Sequence, residues 1–307
     1  MTTVSGSHAP ARPLLAVHAK LLGMTLLWGV SWPAGKVLAQ SVPPLTAAAW
    51  RFAFAVLILV AWMLVARGWP RLSTRQWASI ALAGTVGVFG YALFFMLGLQ
   101  LVPASRAALV VTTNPVFTTL LAVWLFKEHF NGRIGLGMAM AVLGAATVLT
   151  RGAPWELLAG ALGRGEWLLL GCVATWTGYT LISRGLLKGI DTLTSTALGA
   201  VFGTVLLIIT ALALDGPPAL AAPLSWGPTV WIAMAFLVVG ATVLAYAWYF
   251  DGVARLGAGT AASYISLVPV FGVGSSVLLL GEPVDASLLI GGALAVAGVV
   301  LMNRARR

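Results

Sequence analysis

Apolar residues fall along this chain in ten blocks of about 20, separated by short stretches that carry the charges, glycines and prolines. The approximate bounds are 14–39, 45–66, 76–99, 105–126, 132–151, 165–187, 192–214, 227–250, 260–280 and 285–303. A helix needs about 20 residues to cross roughly 30 Å of hydrocarbon, so each block predicts one membrane-spanning helix. Barrel strands would alternate apolar and polar positions, and these blocks do not. The loops between them are short, which makes successive helices antiparallel neighbours.

The pattern repeats itself. Leu99 to Gly144 aligns without a gap on Val253 to Gly298 at a constant shift of 154, placing Pro115 on Pro269, Glu128 on Glu282, Gly137 on Gly291 and Gly144 on Gly298. Residues 14–151 and 165–303 therefore read as two five-helix units, joined by an external connection at 152–164. Within that connection, LLAGAL between Trp155 and Trp167 predicts a short interfacial helix. Five spans per unit invert the second copy, an arrangement that builds two faces around one central cavity. Trp28 to Lys36 (WGVSWPAGK) also resembles Trp176 to Arg184 (WTGYTLISR) at a shift of 148, so the first block is read as a retained first helix and not a signal peptide. The predicted fold class is thus an all-α integral membrane protein of ten transmembrane helices in two inverted-topology repeats.

Composition agrees. Sixty per cent of residues are apolar and 8% charged, with a mean hydropathy of +0.98, whereas a soluble surface needs about three times that charge. The net charge of +10 would suggest nucleic acid in a soluble protein. Its distribution says otherwise: thirteen of the eighteen basic residues lie on the side that holds both termini. The positive-inside rule places that side in the cytoplasm, and no nucleic-acid partner is expected. The lone cysteine, Cys172, permits neither an internal disulfide nor a cysteine metal site and reads as packing.

Candidate site residues follow from what the hydrocarbon disfavours. Pro33, Pro115 and Pro269 lie inside apolar blocks, where each removes a backbone donor and frees the carbonyl four residues earlier. Such carbonyls survive only when buried in protein or facing a wet cavity. Thr112 and Asn114 before Pro115, with Ser263 and Ser266 before Pro269, offer polar groups beside these breaks. All five tyrosines lie within blocks, and a phenol without a partner costs a few kcal/mol there. Tyr91, Tyr179, Tyr246 and Tyr264, together with Phe95, Trp28, Trp32 and Trp176, make a candidate aromatic wall; packing is the alternative for each. Trp69, Trp77, Trp155, Trp167 and Trp226 lie near block ends and fit an interfacial belt. Lys36 is a candidate partner for a substrate carboxylate, with snorkelling as its alternative, and Arg51 reads as an interface anchor. The acids sit at block ends, and His8, His18 and His129 read as terminal or in loops. No metal or cofactor is expected, and the missing mid-depth carboxylate favours facilitated diffusion over proton coupling.

The succession of small residues, a helix proline, a glutamate after the helix and a glycine-spaced final helix runs from Ala104 to Gly144 and again from Ala258 to Gly298. It resembles the EamA repeat of the drug/metabolite transporter superfamily, and its mid-helix aromatics are similar to those of YddG-type aromatic amino-acid exporters. The resemblance implies a basket of ten helices in the bacterial inner membrane, with the fifth and tenth helices as scaffold. It also implies export of amino acids, aromatic and other neutral ones first, by alternating access. The glycine spacing lets the fifth and tenth helices satisfy each other, so a monomer suffices. A nucleotide-sugar or other small-metabolite carrier of the same fold, with or without proton coupling, is the rival.

Overall fold

The computed structural model describes residues 11–159 and 162–305. His8, Arg306, Arg307 and residues 160–161 of the central connection lie outside the described residues. Among the described residues there are helices and no strands. The long helices are α1 (Ala11–Ser41), α2 (Pro44–Arg67), α3 (Thr74–Leu101), α4 (Ala104–Phe126), α5 (Gly132–Leu149), α6 (Arg164–Leu186), α7 (Thr192–Leu214), α8 (Pro228–Leu256), α9 and α10 (Ala286–Ala305). α9 consists of Ala258–Tyr264 and Val268–Leu280, joined by a 3-10 turn at Ile265–Leu267.

Nine of these are long and apolar enough to cross a membrane. α6 is the exception: its 23 residues cover the sixth block but carry Arg164, Glu166 and Arg184 at the ends, with several hydroxyls between. The external connection forms a 3-10 helix at Pro154–Ala159. Helix ends follow local chemistry. Ser73 and Gln76 form a reciprocal capping box at α3, and Asn131, Asp191 and Asp285 accept the Ile134, Thr194 and Leu288 amides at the starts of α5, α7 and α10. The Ser287 hydroxyl and Leu288 amide hold the Asp285 carboxyl below the usual Asp range. That cap is therefore present above the ordinary carboxylate range and is lost only as pH falls through the lowered value.

Pro115 and Pro269 break their helices as expected. α4 is interrupted at Thr112–Thr113, so that Pro115 stands in the first turn of its second half, and Pro269 does the same after the 3-10 turn of α9. The Thr112 and Thr113 hydroxyls donate to the Ala108 and Val110 carbonyls. Pro33 differs, because α1 runs through it unbroken.

Two irregularities were not legible in the sequence. Thr85–Gly90 in α3 and Phe236–Leu244 in α8 are π-helical, and at the shift of 154 the first falls inside the second. In the α8 segment the Thr242 hydroxyl donates to the Leu237 carbonyl, five residues back. Each π segment ends at the residue before, or two before, an interior tyrosine: Tyr91 and Tyr246. π-bulges commonly mark functional sites because they rotate the following side chains.

Packing joins the two halves throughout. α5 lies antiparallel on α10, with Gly137 against Gly298 and Gly144 against Gly291; a Cβ at Gly298 would stand 2.5 Å from the Gly137 carbonyl oxygen. α2 packs on α7, α1 on α8 and on the second half of α9, and α6 on α3 and on the second half of α4. Large apolar side chains such as Val65, Leu214, Ile232 and Leu278 face outward, as helices do when lipid is the solvent.

Candidate functional site

The interior aromatics assemble into two connected groups. Trp32 lies 5.1 Å from Phe95 between ring centroids, Phe95 5.9 Å from Tyr91, Tyr91 5.5 Å from Trp176 and Trp176 5.8 Å from Tyr179. The second group is Trp28 with Tyr246 at 5.6 Å and Tyr249 at 5.8 Å. The rings meet in tilted or edge-to-face contacts, except Tyr91 and Phe95, which stack at an interplanar angle of 22°. The Trp28 indole donates to the Ala241 carbonyl, 2.9 Å away in the π segment of α8. That bond fixes the ring which carries the second group.

A cleft opens between the groups, lined by Phe52 of α2, Gly84 and Gly87 of α3, Trp176 and Tyr179 of α6, Thr196 and Gly199 of α7, and Thr242 and Tyr246 of α8. The glycines are needed here: a Cβ at Gly84 would stand 2.2 Å from the Gly199 carbonyl oxygen, and one at Gly87 2.3 Å from the Tyr179 ring. Of the predicted wall residues, Trp176, Tyr179 and Tyr246 line this cleft, while Tyr91 and Trp28 touch them ring to ring and Phe95 and Trp32 follow behind Tyr91.

Other candidates lie elsewhere. Thr112 and Asn114 are buried at the α4 break, where the Asn114 Oδ1 has no hydrogen-bond partner. Ser263 and Ser266 line a separate cleft with Val300, Asn303 and Arg304 of α10, and the Asn303 amide donates to Ser266 at 3.0 Å. Tyr264 shares a hydrogen bond of 2.5 Å with the His18 Nδ1. This corrects the reading of His18 as terminal or in a loop, since it lies inside α1. Lys36 is buried, and its ammonium donates to the Leu99 and Val102 carbonyls at 2.7 and 3.0 Å.

Arg51 is the residue the sequence reading placed wrongly. It stands two helical turns inside α2, with its Cζ 4.9 Å from the Phe52 ring and 5.8 Å from the Phe95 ring. Its Nε is buried without a hydrogen-bond partner. The available signal was depth: seven residues past Pro44 is about 10 Å of helix, beyond the interface that an anchoring arginine occupies.

The two ends of the bundle differ. At the end holding the 101–104 and 280–286 turns, the Glu282 carboxylate accepts the Ala104 and Ser105 amides at 2.7 and 2.8 Å, binding α9 to the start of α4. Lys36 lies within electrostatic reach of Glu282, and Arg106 bridges Asp285 and the Val148 carbonyl. At the opposite end Glu128, which aligns with Glu282, is ion-paired with Arg184, which aligns with Lys36. Lys20 and Arg255 hold Asp251 there.

Membrane-length helices from both halves, two broken helices and an aromatic interior cleft describe a multi-pass membrane protein. The chain belongs to the EamA-like transporter family, which matches residues 17–150 and 163–304. It is 27% identical over 288 residues, 93% of each chain, to the Bacillus subtilis (strain 168) protein named "Uncharacterized transporter YyaM". It is 29% identical over 237 residues, 77% of this chain and 76% of the other, to the "Probable terminal-alkyne amino-acid exporter" of Streptantibioticus cattleyicolor. It is 24% identical over 285 residues, 91% of each, to the "Probable amino-acid metabolite efflux pump" of Salmonella typhimurium. A solved crystal structure shares the fold, with a TM-score of 0.65 at 21% identity over 95% of this chain and 99% of that one.

Proposed function

We propose that the protein exports amino acids, aromatic and other neutral ones first, by alternating access down their own gradient. The observation that carries this reading is the pair of aromatic groups facing one interior cleft, a surface suited to a substrate with a π face or an alkyl side chain. The names of two relatives, an amino-acid exporter and an amino-acid metabolite efflux pump, point the same way.

Alternating access in this reading rests on ten transmembrane helices in two inverted repeats, spanning 14–151 and 165–303. The packing supports it. Exchanging α1–α5 with α6–α10 carries the α5–α10 and α2–α7 contacts onto themselves, and carries α1 on α8 onto α6 on α3. The π segments fall at matching positions, and the contact of Gly137 with Gly298 is the counterpart of Gly144 with Gly291. The ends are unlike, as one conformer of a two-state carrier requires.

Counterflow in proteoliposomes with a panel of amino acids and nucleotide sugars tests the substrate class. Amino acids with large apolar side chains are expected to exchange, without response to an imposed proton gradient. Trp176→Ala is expected to weaken aromatic substrates more than threonine-sized ones, by roughly 0.5 to 1.5 kcal/mol beyond the lost area. Exchange of nucleotide sugars alone would assign the fold to its rival function, and uphill accumulation after a pH jump would replace facilitated diffusion by proton coupling.

The same reading puts both termini in the cytoplasm of a bacterial inner membrane and the 152–164 connection outside, with a monomer as the working unit. Glu156 is exposed on that connection. Glu156→Cys in a Cys172→Ala background should react with an impermeant thiol reagent on intact cells. Labelling only after permeabilisation would reverse the orientation.

A further inference from the structure

We infer that Arg51 binds the carboxylate of the transported substrate, and that the carrier selects amphipathic monocarboxylates by this contact. The inference deepens the amino-acid export reading and rests on it for the substrate's other end.

The guanidinium is a cation inside an apolar bundle. No ion pair among the described residues includes it, and its Nε meets no acceptor. A charge held in that setting without a counter-ion is strongly unfavourable, so its presence there points to a function. What surrounds it are rings. Phe52 and Phe95 lie under the guanidinium at cation–π distances, and the Tyr91 and Tyr246 phenols are within electrostatic reach from α3 and α8. Phe52 and Tyr246 also line the cleft, so the cation stands behind the Phe52 ring, whose centroid is 4.9 Å from its Cζ.

The geometry of the missing partner follows from the donor set. A planar guanidinium presents a fork that fits a carboxylate through two parallel hydrogen bonds. Rings flanking the fork leave room for an apolar side chain on the same molecule. A nucleotide diphosphate would call for further cations, and the buried Lys36 already donates to the Leu99 and Val102 carbonyls. An amine lacking a carboxylate would meet like charge and be rejected.

The test compares uptake of phenylalanine, phenylalaninamide and 3-phenylpropionate into proteoliposomes carrying the wild type, Arg51→Gln or Arg51→Lys. The wild type should favour both carboxylates over the amide. Arg51→Gln should reduce that preference about 10-fold or more, the usual strength of a charge-assisted hydrogen bond, and Arg51→Lys should fall between. The lysine variant keeps the charge and carries the test alone if the glutamine variant does not fold. An acid-to-amide ratio unchanged in every folded variant overturns the inference while leaving amino-acid export standing. Arg51-dependent flux of 3-phenylpropionate without flux of phenylalanine upholds the anchor and overturns amino-acid export. A wild type that moves none of the three overturns both.

Discussion

Glu282→Ala is expected to open the end of the bundle at which α9 is bound to the start of α4. The Glu282 carboxylate is the acceptor for two backbone amides that no helical carbonyl can satisfy, those of Ala104 and Ser105. Hydrogen bonds to a charged group are worth about 1.5 to 3 kcal/mol each. Losing them in one conformer alone shifts the conformational ratio about 10-fold or more. Val102 reports on the change, because it is buried at this end and its carbonyl is one of the two that hold Lys36. Val102→Cys, in a Cys172→Ala background, should react slowly with an impermeant thiol reagent and at least about 10-fold faster once Glu282→Ala is added. Glu282→Gln keeps one acceptor and should fall between. An unchanged labelling rate would make this contact a static cap and remove it from the transport cycle.

Gly298→Ala should lower stability sharply, although alanine is the better helix former by about 1 kcal/mol. The added Cβ would lie 2.5 Å from both the Ala141 amide nitrogen and the Gly137 carbonyl oxygen, which are backbone atoms of the facing helix. No rotamer change relieves such a contact, so α5 and α10 must separate along the interface that ties the halves together. Overpacking of this kind costs about 1 to 3 kcal/mol or more, which outweighs the gain in propensity. Gly274 supplies the control, because a Cβ there meets nothing within 4 Å. Gly274→Ala should match or slightly exceed the wild type in monodisperse yield and thermal midpoint, while Gly298→Ala falls in both. Equal behaviour of the two variants would mean that the close approach of α5 and α10 contributes nothing to assembly.

Much of the architecture was legible because lipid imposes strong local rules. Block length and apolar content predict helices without reference to any neighbour, and nine of the ten blocks form helices of membrane-crossing length and apolarity. Pro115 and Pro269 break their helices because a missing amide acts within one turn. The glycines at 137, 144, 291 and 298 announce a close helix pair, since only the absence of a Cβ allows it.

What a helix faces is another matter. Periodicity gives weak guidance when every face is apolar, because lipid and protein interior then look alike to the sequence. Tyr91, Tyr246 and Tyr264 all lie at depth in the chain pattern, yet the first two meet in the interior cleft region and the third bonds His18 near the start of α1. The π segments escaped notice because a one-residue insertion leaves composition unchanged. Lys36 and Arg51 read much alike as cations near helix starts or ends. Tertiary structure separates them: Lys36 meets carbonyls more than 60 residues away, whereas Arg51 meets rings. The sequence by itself determined where apolar helices form and that Pro115 and Pro269 break theirs, because those depend on chemistry within a turn. Only the tertiary structure decided which rings assemble, which cation lacks a counter-ion and which side chains tie the helices at each end of the bundle, because those depend on contacts between residues far apart in the chain.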